Sequence, residues 1–469
     1  MTKRAIYSLI SVFLSLLLTQ NSFSAQEYIK VDVKGKPTDK SWTQRETITL
    51  DLLEDFKPGK TPPLDKFGGK IGEKFEATGF FYPKKVNNRW WLIDPDGNQF
   101  MHIAVNGVSP GSKMDRESAI KKFGDCGKWA DYSAKLLAIN RFNGTAGWSD
   151  TEYMRNSVNP PVYTLSWAFM SSFGRSLKLT YQASGHSGYQ GDVMPIFHPD
   201  FPKFCDEYAK QLEKTKDDPY LLGHFSDNEL PVQSVMLDNS LKLEPNDPIQ
   251  SHSYNAAKDW LDKRKGSNWK PENITDADRD EFLEYVMDTY YRITTAAIRK
   301  YDPNHLCLGS RLHGRATRYP LVFKAAGKHL DVVSVNLYGH WTPRKEMLQM
   351  WAAQSDKPFI ITEWYAKGMD SGLPNNSGAG WTVKTQNDRG LFYQNFTIAL
   401  MQNKACVGWH WFKFRDNNPL DLSTDPSNRD SNKGIVNCNY EPYFDLLNKM
   451  KDINTQAYNL IDHFDALSD

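Results

Sequence analysis

Short runs of consecutive apolar residues alternate with amphipathic stretches along most of this chain. The runs predict buried strands, whereas apolar residues at helical spacing predict helices. Eight runs are predicted as strands: 100–105, 141–147, 192–197, 221–225, 305–309, 331–337, 358–362 and 405–411. Helices are predicted between them, for example at 280–300 and 388–401, with a closing helix over 443–458. Because strands that alternate with helices form parallel sheets, the pattern predicts an α/β fold.

The number and spacing of these units favour a closed barrel. Eight strand and helix units over this length fit a (β/α)8 TIM barrel better than an open doubly wound sheet. We expect the catalytic barrel to occupy residues 100–469, after an N-terminal extension over 25–99. In that extension, apolar segments 78–82 and 89–93 flank a polar turn, which is a β-hairpin signal.

The N-terminus has the features of an export signal. Lys3 and Arg4 precede an uncharged apolar run, and small residues follow near position 24. The run is about 14 residues long, shorter than the roughly 20 needed to span a bilayer. We therefore predict a secretory signal peptide over residues 1–24 and a periplasmic or extracellular enzyme with no membrane partner after its removal.

Composition narrows the range of partners. Lys and Arg together number 57 and Asp and Glu 56, so charge gives no reason to expect nucleic acid as a partner. The chain has 14 Trp, 22 Tyr and 25 Phe; most are expected in the core, but flat aromatic faces also bind sugars. Its five Cys have no metal-ligand spacing, and buried free thiols are favoured over a Cys406–Cys438 pair. No metal or cofactor is expected.

Two apolar runs lead directly into carboxylates. Run 221–225 is followed by segment 226–229, which ends in Glu229, and run 358–362 is followed at once by Glu363. Functional residues of TIM barrels lie at the carboxyl ends of strands, so the fourth and seventh predicted strands would bring these two glutamates together. Retaining glycosidases need such a pair about 5 to 5.5 Å apart. The sequence therefore predicts Glu229 as acid/base and Glu363 as nucleophile.

Further polar and aromatic residues follow the predicted strands and are candidates for sugar binding. Asn228 is placed to donate a hydrogen bond to a sugar 2-hydroxyl. The Tyr338 hydroxyl is expected to form a hydrogen bond with the Glu363 carboxylate. Trp411 is the candidate sugar platform, although Trp409 shares its strand face and one of the two is expected in the core. The full set of candidates is Asn228, Tyr338, Trp411, His102, Asn106, Trp148, Arg311, His313, Trp364 and Trp381.

Several segments together resemble the β-agarases of glycoside hydrolase family 50. They are 89–92, 227–229, 363–372, 378–383, 408–413, 434–436 and 440–443. The resemblance extends from about Gly79 to the C-terminus, and its C-terminal block is the most specific part. It implies a clan A retaining barrel enzyme that cleaves the β-galactosidic bonds of agarose, with Glu229 as acid/base and Glu363 as nucleophile.

The resemblance also implies a mode of action and one difference. Family members typically release disaccharides from chain ends and usually carry a large N-terminal carbohydrate-binding-like domain. Here only segment 25–78 lies between the predicted signal peptide and the similar region. Short oligosaccharides, or a related red-algal galactan such as porphyran, are therefore also open as substrates.

Two alternatives stay open from the sequence. One is another clan A β-glycosidase or β-glycanase acting on mannan or plant galactan, since a barrel does not determine substrate. The other is a non-catalytic glycan-binding protein on a decayed hydrolase scaffold, which the presence of both carboxylates disfavours. In each case the expected partner is an oligo- or polysaccharide.

Overall fold

The computed structural model describes residues 27–36, 38–111 and 113–467, so the predicted signal peptide lies outside the described residues. The strands are β1 (Ile29–Lys34), β2 (Thr43–Thr47), β3 (Tyr82–Val86), β4 (Arg89–Ile93), β5 (Gln99–Phe100), β6 (His102–Val105), β7 (Gly144–Thr145), β8 (Val162–Ser166), β9 (Thr180–Gln182), β10 (Ser187–Tyr189), β11 (Leu221–Phe225), β12 (Leu306–Gly309), β13 (Leu312–His313), β14 (Val333–Asn336), β15 (Phe359–Glu363), β16 (Ala366–Gly368), β17 (Trp381–Val383) and β18 (Cys406–Trp411).

The α-helices follow the strands as an α/β fold requires. They are α1 (Lys113–Phe123), α2 (Cys126–Ile139), α3 (Thr151–Arg155), α4 (Phe169–Ser176), α5 (Phe201–Ala209), α6 (Met236–Ser240), α7 (Ser251–Lys265), α8 (Asp276–Tyr301), α9 (Pro320–His329), α10 (Lys345–Ser355), α11 (Gln386–Met401), α12 (Phe444–Thr455) and α13 (Ala457–Ala466). Short 3₁₀ turns lie at Leu50–Leu52, Gln190–Asp192, Lys210–Lys214, Pro271–Asn273, Gly314–Arg318 and Met369–Ser371.

The main sheet forms a nearly closed, TIM-like barrel. Its nine strands are all parallel to their neighbours, in the order β12-β11-β8-β7-β6-β18-β15-β14-β13. The two end strands, β12 and β13, are separated in the chain only by Ser310 and Arg311. Ser334 of β14 bridges them, because its hydroxyl donates to the Leu308 carbonyl and accepts from the Arg311 backbone N–H. The sheet therefore nearly closes on itself.

One strand prediction was wrong. The run 192–197, predicted as the third strand, begins at the end of a 3₁₀ turn and continues as a loop, and β8 takes the predicted place between β7 and β11. Pro195 interrupts the run, and a proline in a central parallel strand would remove a ladder hydrogen bond. The segment that forms β8 directly follows Pro160 and Pro161 and is short, which weakened its signal.

The predicted N-terminal hairpin is present, although its first strand is residues 82–86 and not 78–82, and it closes one end of the barrel. Strands β3 and β4 pair across Asn87 and Asn88, whose φ angles of 48° and 63° are those of a type I′ turn. Phe81 and Phe100 from this region contact each other at 4.9 Å between ring centroids. They pack with apolar residues from the first halves of the barrel strands, such as Leu222, Leu306, Ile360 and Val407. The opposite, carboxyl ends of the strands are left for the functional site.

A second sheet connects the N-terminus to the loop that follows β15. Strand β1 pairs with β2 and with β17, and β17 pairs with β16, so residues 33 and 34 lie beside residues 383 and 382. The loop between β15 and α11 is thus held by strands distant in sequence. All five cysteines are free thiols, and Cys438 is less buried than the other four. None of the helices in the described residues is both long and apolar enough to cross a membrane.

Candidate active site

Glu363 is the last residue of β15 and is surrounded by donors. Its Oε1 lies 2.7 Å from an Arg311 guanidinium nitrogen and accepts from the Trp148 indole N–H at 3.2 Å. Its Oε2 accepts from the Tyr338 hydroxyl at 2.7 Å, so the predicted hydrogen bond is present. The side chain is almost completely buried, so these polar contacts take the place of water around the carboxylate.

Glu229 lies four residues beyond the end of β11 and has a different environment. Its Oε1 accepts from the Asn336 amide at 2.8 Å, whereas Oε2 faces two imidazoles, with His186 Nδ1 at 3.6 Å and His313 Nδ1 at 3.9 Å. Burial raises the pKa of Glu229 to about 8, and the Glu363 charge acts in the same direction. The Asn336 hydrogen bond and the Arg311 charge lower it only in part. Glu229 therefore holds a proton at neutral pH.

Three residues at the site have unusual backbone conformations. Glu229, Trp148 and Arg311 have φ angles of 50°, 66° and 52°, in the left-handed region that side chains with a Cβ rarely adopt. Each such residue costs on the order of 1 kcal/mol. Glu229 is one of the two carboxylates, and the Trp148 and Arg311 side chains contact the other. The strain is therefore concentrated where the backbone must direct functional groups into one cleft.

The segment that presents Glu229 is anchored by its neighbour Asp227. The Asp227 carboxylate faces inward and accepts from the backbone N–H groups of Met170 and Ser171, at 2.8 and 3.1 Å, at the start of α4. The Tyr290 hydroxyl of α8 donates to it at 2.7 Å. Burial raises the pKa of Asp227 to about 6, and these hydrogen bonds act against that rise. Asp227 thus joins the loop to two helices.

Of the predicted substrate-binding residues, five lie at the carboxylate pair. Contacts to Glu363 come from Tyr338, Trp148 and Arg311, and His313 faces Glu229. Asn228 accepts a hydrogen bond from Asn336, which also donates to Glu229. The Trp148 side chain is 49% exposed, and its indole ring also lies over the Arg311 guanidinium at 5.5 Å. Trp148 is therefore the predicted tryptophan whose face remains open to a ligand.

Trp411 and Trp364 were predicted to bind substrate. This prediction was wrong, because each is buried in the core. Trp411 shares its strand face with Trp409, and both pack against Tyr393 of α11 outside the barrel sheet. Trp364 points to the side opposite Glu363 and stacks on Phe396 of the same helix at 4.0 Å. Since alternate residues of a strand face opposite sides, neither ring can line the cleft.

His102, Asn106 and Trp381 also differ from the prediction. His102 is fully buried inside the barrel against His410, at 2.9 Å between ring nitrogens, and burial lowers its pKa to about 3. Asn106 is buried beneath the site, where its Oδ1 accepts from Arg311 at 3.3 Å. Trp381 packs against Arg45 and Trp341 in the second sheet. Asn106 supports Arg311, and the other two have structural contacts.

Sequence reasoning missed several residues at the site. Asn336 donates to Glu229, and its amide orientation is fixed because its Oδ1 accepts from the Thr362 hydroxyl at 2.7 Å. His186 arrives from the β9–β10 hairpin, far from any predicted strand end. Phe412, not Trp411, is the half-buried aromatic residue after β18, and its ring lies 6.0 Å from that of Tyr365. The position of Asn336 at the end of β14 was a usable signal; His186 had none.

One histidine and aspartate cluster has metal-ligand geometry. His224, Asp302 and His305 place ligand atoms within 4.8 Å of one another. Both histidines bond Asp302 at 2.8 Å, the Trp167 indole donates to His224, and the Asp218 carbonyl faces the other nitrogen of His305. These hydrogen bonds use all four ring nitrogens, so the cluster is explained as a buried polar network that joins β11 to the start of β12.

The fold and the paired carboxylates define a TIM-like barrel of the glycoside hydrolase class. No family model matches the chain. The solved structure of BpGH50 is 31% identical, with a TM-score of 0.82, and the match covers 95% of this chain and 98% of that one. The chain therefore belongs to glycoside hydrolase family 50.

More distant relatives agree with this assignment. Beta-agarase B and beta-agarase A of Vibrio sp. (strain JT0107) are each 24% identical, over 92% and 80% of this chain. The chain spans about half the length of these curated relatives, 54% and 45% respectively. The structure of an exo-beta-agarase is 20% identical with a TM-score of 0.70, and the match covers 85% of this chain and 68% of that one, which shows the same fold.

Proposed function

We propose that the protein is a retaining glycoside hydrolase that cleaves β-galactosidic bonds in agarose or related red-algal galactan oligosaccharides. The observation that carries the proposal is the unequal set of partners around the two carboxyl groups. Glu363 is paired with Arg311 and accepts from two neutral donors, whereas Glu229 accepts from one amide, and burial raises its pKa to about 8. A double displacement needs one anionic nucleophile and one acid.

In the first step, Glu229 donates its proton to the leaving glycosidic oxygen while Glu363 attacks the anomeric carbon. The bond to the leaving sugar breaks, and a glycosyl ester forms on Glu363. The Arg311 and Tyr338 donors stabilise the attacking carboxylate in one orientation. Asn228, whose Oδ1 accepts from Asn336, would direct its amide nitrogen toward the 2-hydroxyl of the bound sugar.

The second step follows from the coupling between the two groups. The charge of Glu363 is one cause of the raised pKa of Glu229. Once Glu363 is an ester that charge is gone, so the pKa of Glu229 falls. Glu229, which has just lost its proton, then takes one from water as that water attacks the anomeric carbon and releases Glu363.

We place these residues on a (β/α)8 barrel over residues 100–469, with an extension over 25–99. Support comes from the sheet order, in which β12 and β13 are two parts of one interrupted strand. Counted this way, Glu229 follows the fourth strand and Glu363 ends the seventh. The names of the curated relatives support agarose as substrate, and the predicted signal peptide supports export.

The test is the stereochemistry of the first product. Agaro-oligosaccharides are incubated with the enzyme, and the anomeric protons of the new reducing ends are followed by NMR within the first minutes. The β anomer should appear first and then mutarotate. Initial release of the α anomer would indicate inversion, and an absence of hydrolysis on every red-algal galactan would remove the proposed substrate class.

A further inference from the structure

Lys433 is a buried lysine near the candidate active site, close enough for the charge of Glu363 to act on it. Only 1% of the residue is exposed, and its Nζ lies 5.4 Å from the ring centroid of Phe412 and 5.8 Å from that of Tyr365. The Tyr365 ring in turn contacts Tyr338, which bonds Glu363. Lys433 is therefore linked to Glu363 through the rings of Tyr365 and Tyr338.

The carboxylates around Lys433 already have other partners. Glu363 is paired with Arg311 at 2.7 Å. Asp416 accepts from the backbone N–H groups of Lys433 and Gly434 and from the Tyr443 hydroxyl, each at 2.7 Å. Among the described residues, none forms an ion pair with the Lys433 ammonium. The charges of Glu363, Asp416 and Asp425 act on it from beyond ion-pair distance, and two aromatic rings lie 5.4 and 5.8 Å away.

The electrostatics show that this arrangement is incomplete. Burial lowers the pKa of Lys433 well below its ordinary value, and the charge of Lys413 acts in the same direction. Lys413 itself has a pKa lowered to about 8, chiefly by burial, and donates to the neutral Asn417 side chain at 2.5 Å. A desolvated ammonium without an ion-pair partner is unfavourable, and ring faces and more distant carboxylates compensate it only in part. A ligand that brings negative charge would complete the site.

We propose that Lys433, with Lys413 behind it, forms an anion subsite, and that the sugar bound over Glu363 carries a sulfate ester or a carboxylate. This inference rests on the proposed function, because it specifies the substrate class of the same site. The ammonium donates to an oxygen of the substituent, and no covalent bond changes. Anion binding favours the protonated form of Lys433.

Binding of monosaccharides tests the subsite without hydrolysis. Galactose 6-sulfate, galacturonic acid and galactose are titrated into the full chain at pH 7 by calorimetry. We expect at least one of the two anionic sugars to bind tenfold or more tightly than galactose, and the tighter of the two identifies the substituent. In Lys433→Met this advantage should disappear, and in Lys433→Arg part of it should remain.

A matched control removes a positive charge elsewhere. Lys345→Met replaces an exposed lysine at the start of α10 and should keep the full preference for the anionic sugar. Circular dichroism and thermal melting establish that each variant is folded. Galactose binding as tightly as both anionic sugars, or an anionic preference that survives in Lys433→Met, overturns the subsite.

Hydrolysis separates this inference from the proposed function. The ratio of kcat/KM on sulfated and unsulfated galactan oligosaccharides of equal length should fall at least tenfold in Lys433→Met. An unchanged ratio, with both substrates cleaved, overturns the subsite and leaves the hydrolase standing. If the anionic sugar binds in a Lys433-dependent way but the unaltered enzyme cleaves no galactan, the proposed hydrolase function is wrong and the proposed anion subsite is supported.

Discussion

Glu229 and Glu363 face the same cleft, but the protein treats them in opposite ways. Glu363 forms an ion pair with a guanidinium and accepts hydrogen bonds from a phenol and an indole. Glu229 is met by one amide donor at hydrogen-bond distance and by two imidazoles beyond it. Both carboxyl groups are buried to a similar degree, so their partners and not their exposure distinguish them.

The difference teaches that a catalytic pair can be assigned from its hydrogen-bond partners. The two groups also interact, since the charge on Glu363 raises the pKa of Glu229. Variants that remove one member should therefore have unequal consequences for activity, stability and pH dependence.

The largest effect is expected for Glu363→Ala. Without the nucleophile no glycosyl ester forms, so kcat should fall by at least roughly 10⁵-fold, as when a covalent catalyst is removed elsewhere. Added azide should restore part of the rate and yield a glycosyl azide of inverted configuration, detected by mass and NMR. Residual hydrolysis above one per cent, in a folded variant, would sink the assignment of Glu363.

Glu229→Ala should cost less and depend on the leaving group. General acid catalysis contributes about 10²–10⁴-fold, so hydrolysis of natural oligosaccharides should drop within that range. An activated aryl glycoside, which leaves without a proton, should form the glycosyl ester almost normally, and mass spectrometry should detect the ester. An equal loss on both substrates would contradict the acid role.

Tyr338→Phe tests the support of Glu363. The change removes one hydrogen bond to a charged group, worth about 1.5–3 kcal/mol, so kcat should fall roughly 10- to 100-fold. The phenol itself is not the nucleophile, so retention of configuration should persist. A change at Trp381, whose contacts are with Arg45 and Trp341, provides the control, and Trp381→Phe should leave kcat within a few-fold.

Stability should respond in opposite directions to the two amide substitutions. The raised pKa of Glu229 means that its contribution to stability is full below its ordinary range and is lost as pH rises through about 8. Glu229→Gln should therefore increase the free energy of unfolding at pH 8.5, by about 1–3 kcal/mol, and not at pH 4. Glu363→Gln leaves the buried Arg311 without an anion and should decrease it by about 2 kcal/mol. Denaturant melts at both pH values measure this; destabilisation by both variants at pH 8.5 would contradict it.

The smallest effect concerns the pH profile. If Glu229 acts as the acid, kcat/KM should fall as pH rises through about 8, because the protonated form is lost. The Asn336 hydrogen bond lowers the pKa of Glu229, so Asn336→Ala should move this fall to higher pH. A shift to lower pH would show that Asn336 acts on another group.

The sequence predicted the elements that carry the pair because their signals are local. Strands β11 and β15 are mainly apolar; β15 ends at Glu363, and Glu229 follows four residues after the end of β11. The sequence also placed Tyr338 correctly, two residues beyond a strand end. Hydrophobic periodicity and strand-end position were sufficient for these.

Other parts depend on contacts that periodicity does not carry. Whether Trp411 faced the cleft or α11 depended on one step of strand register, and a one-residue difference exchanges the faces. His186 reaches Glu229 only because a hairpin outside the barrel folds over the site. The left-handed conformation of Trp148 and Arg311 likewise follows from tertiary constraint and not from residue type.

The pairing of β1 with β17 has a consequence for how the molecule assembles. Residues 33 and 34 contact 382 and 383, so one of the first described strands must wait for a partner made near the end of synthesis. Contacts so distant along the chain slow folding, because a long loop must close before they form. The loop after Glu363 would then be among the last parts to order, and a chain released before this pairing would have a formed barrel and an incomplete second sheet.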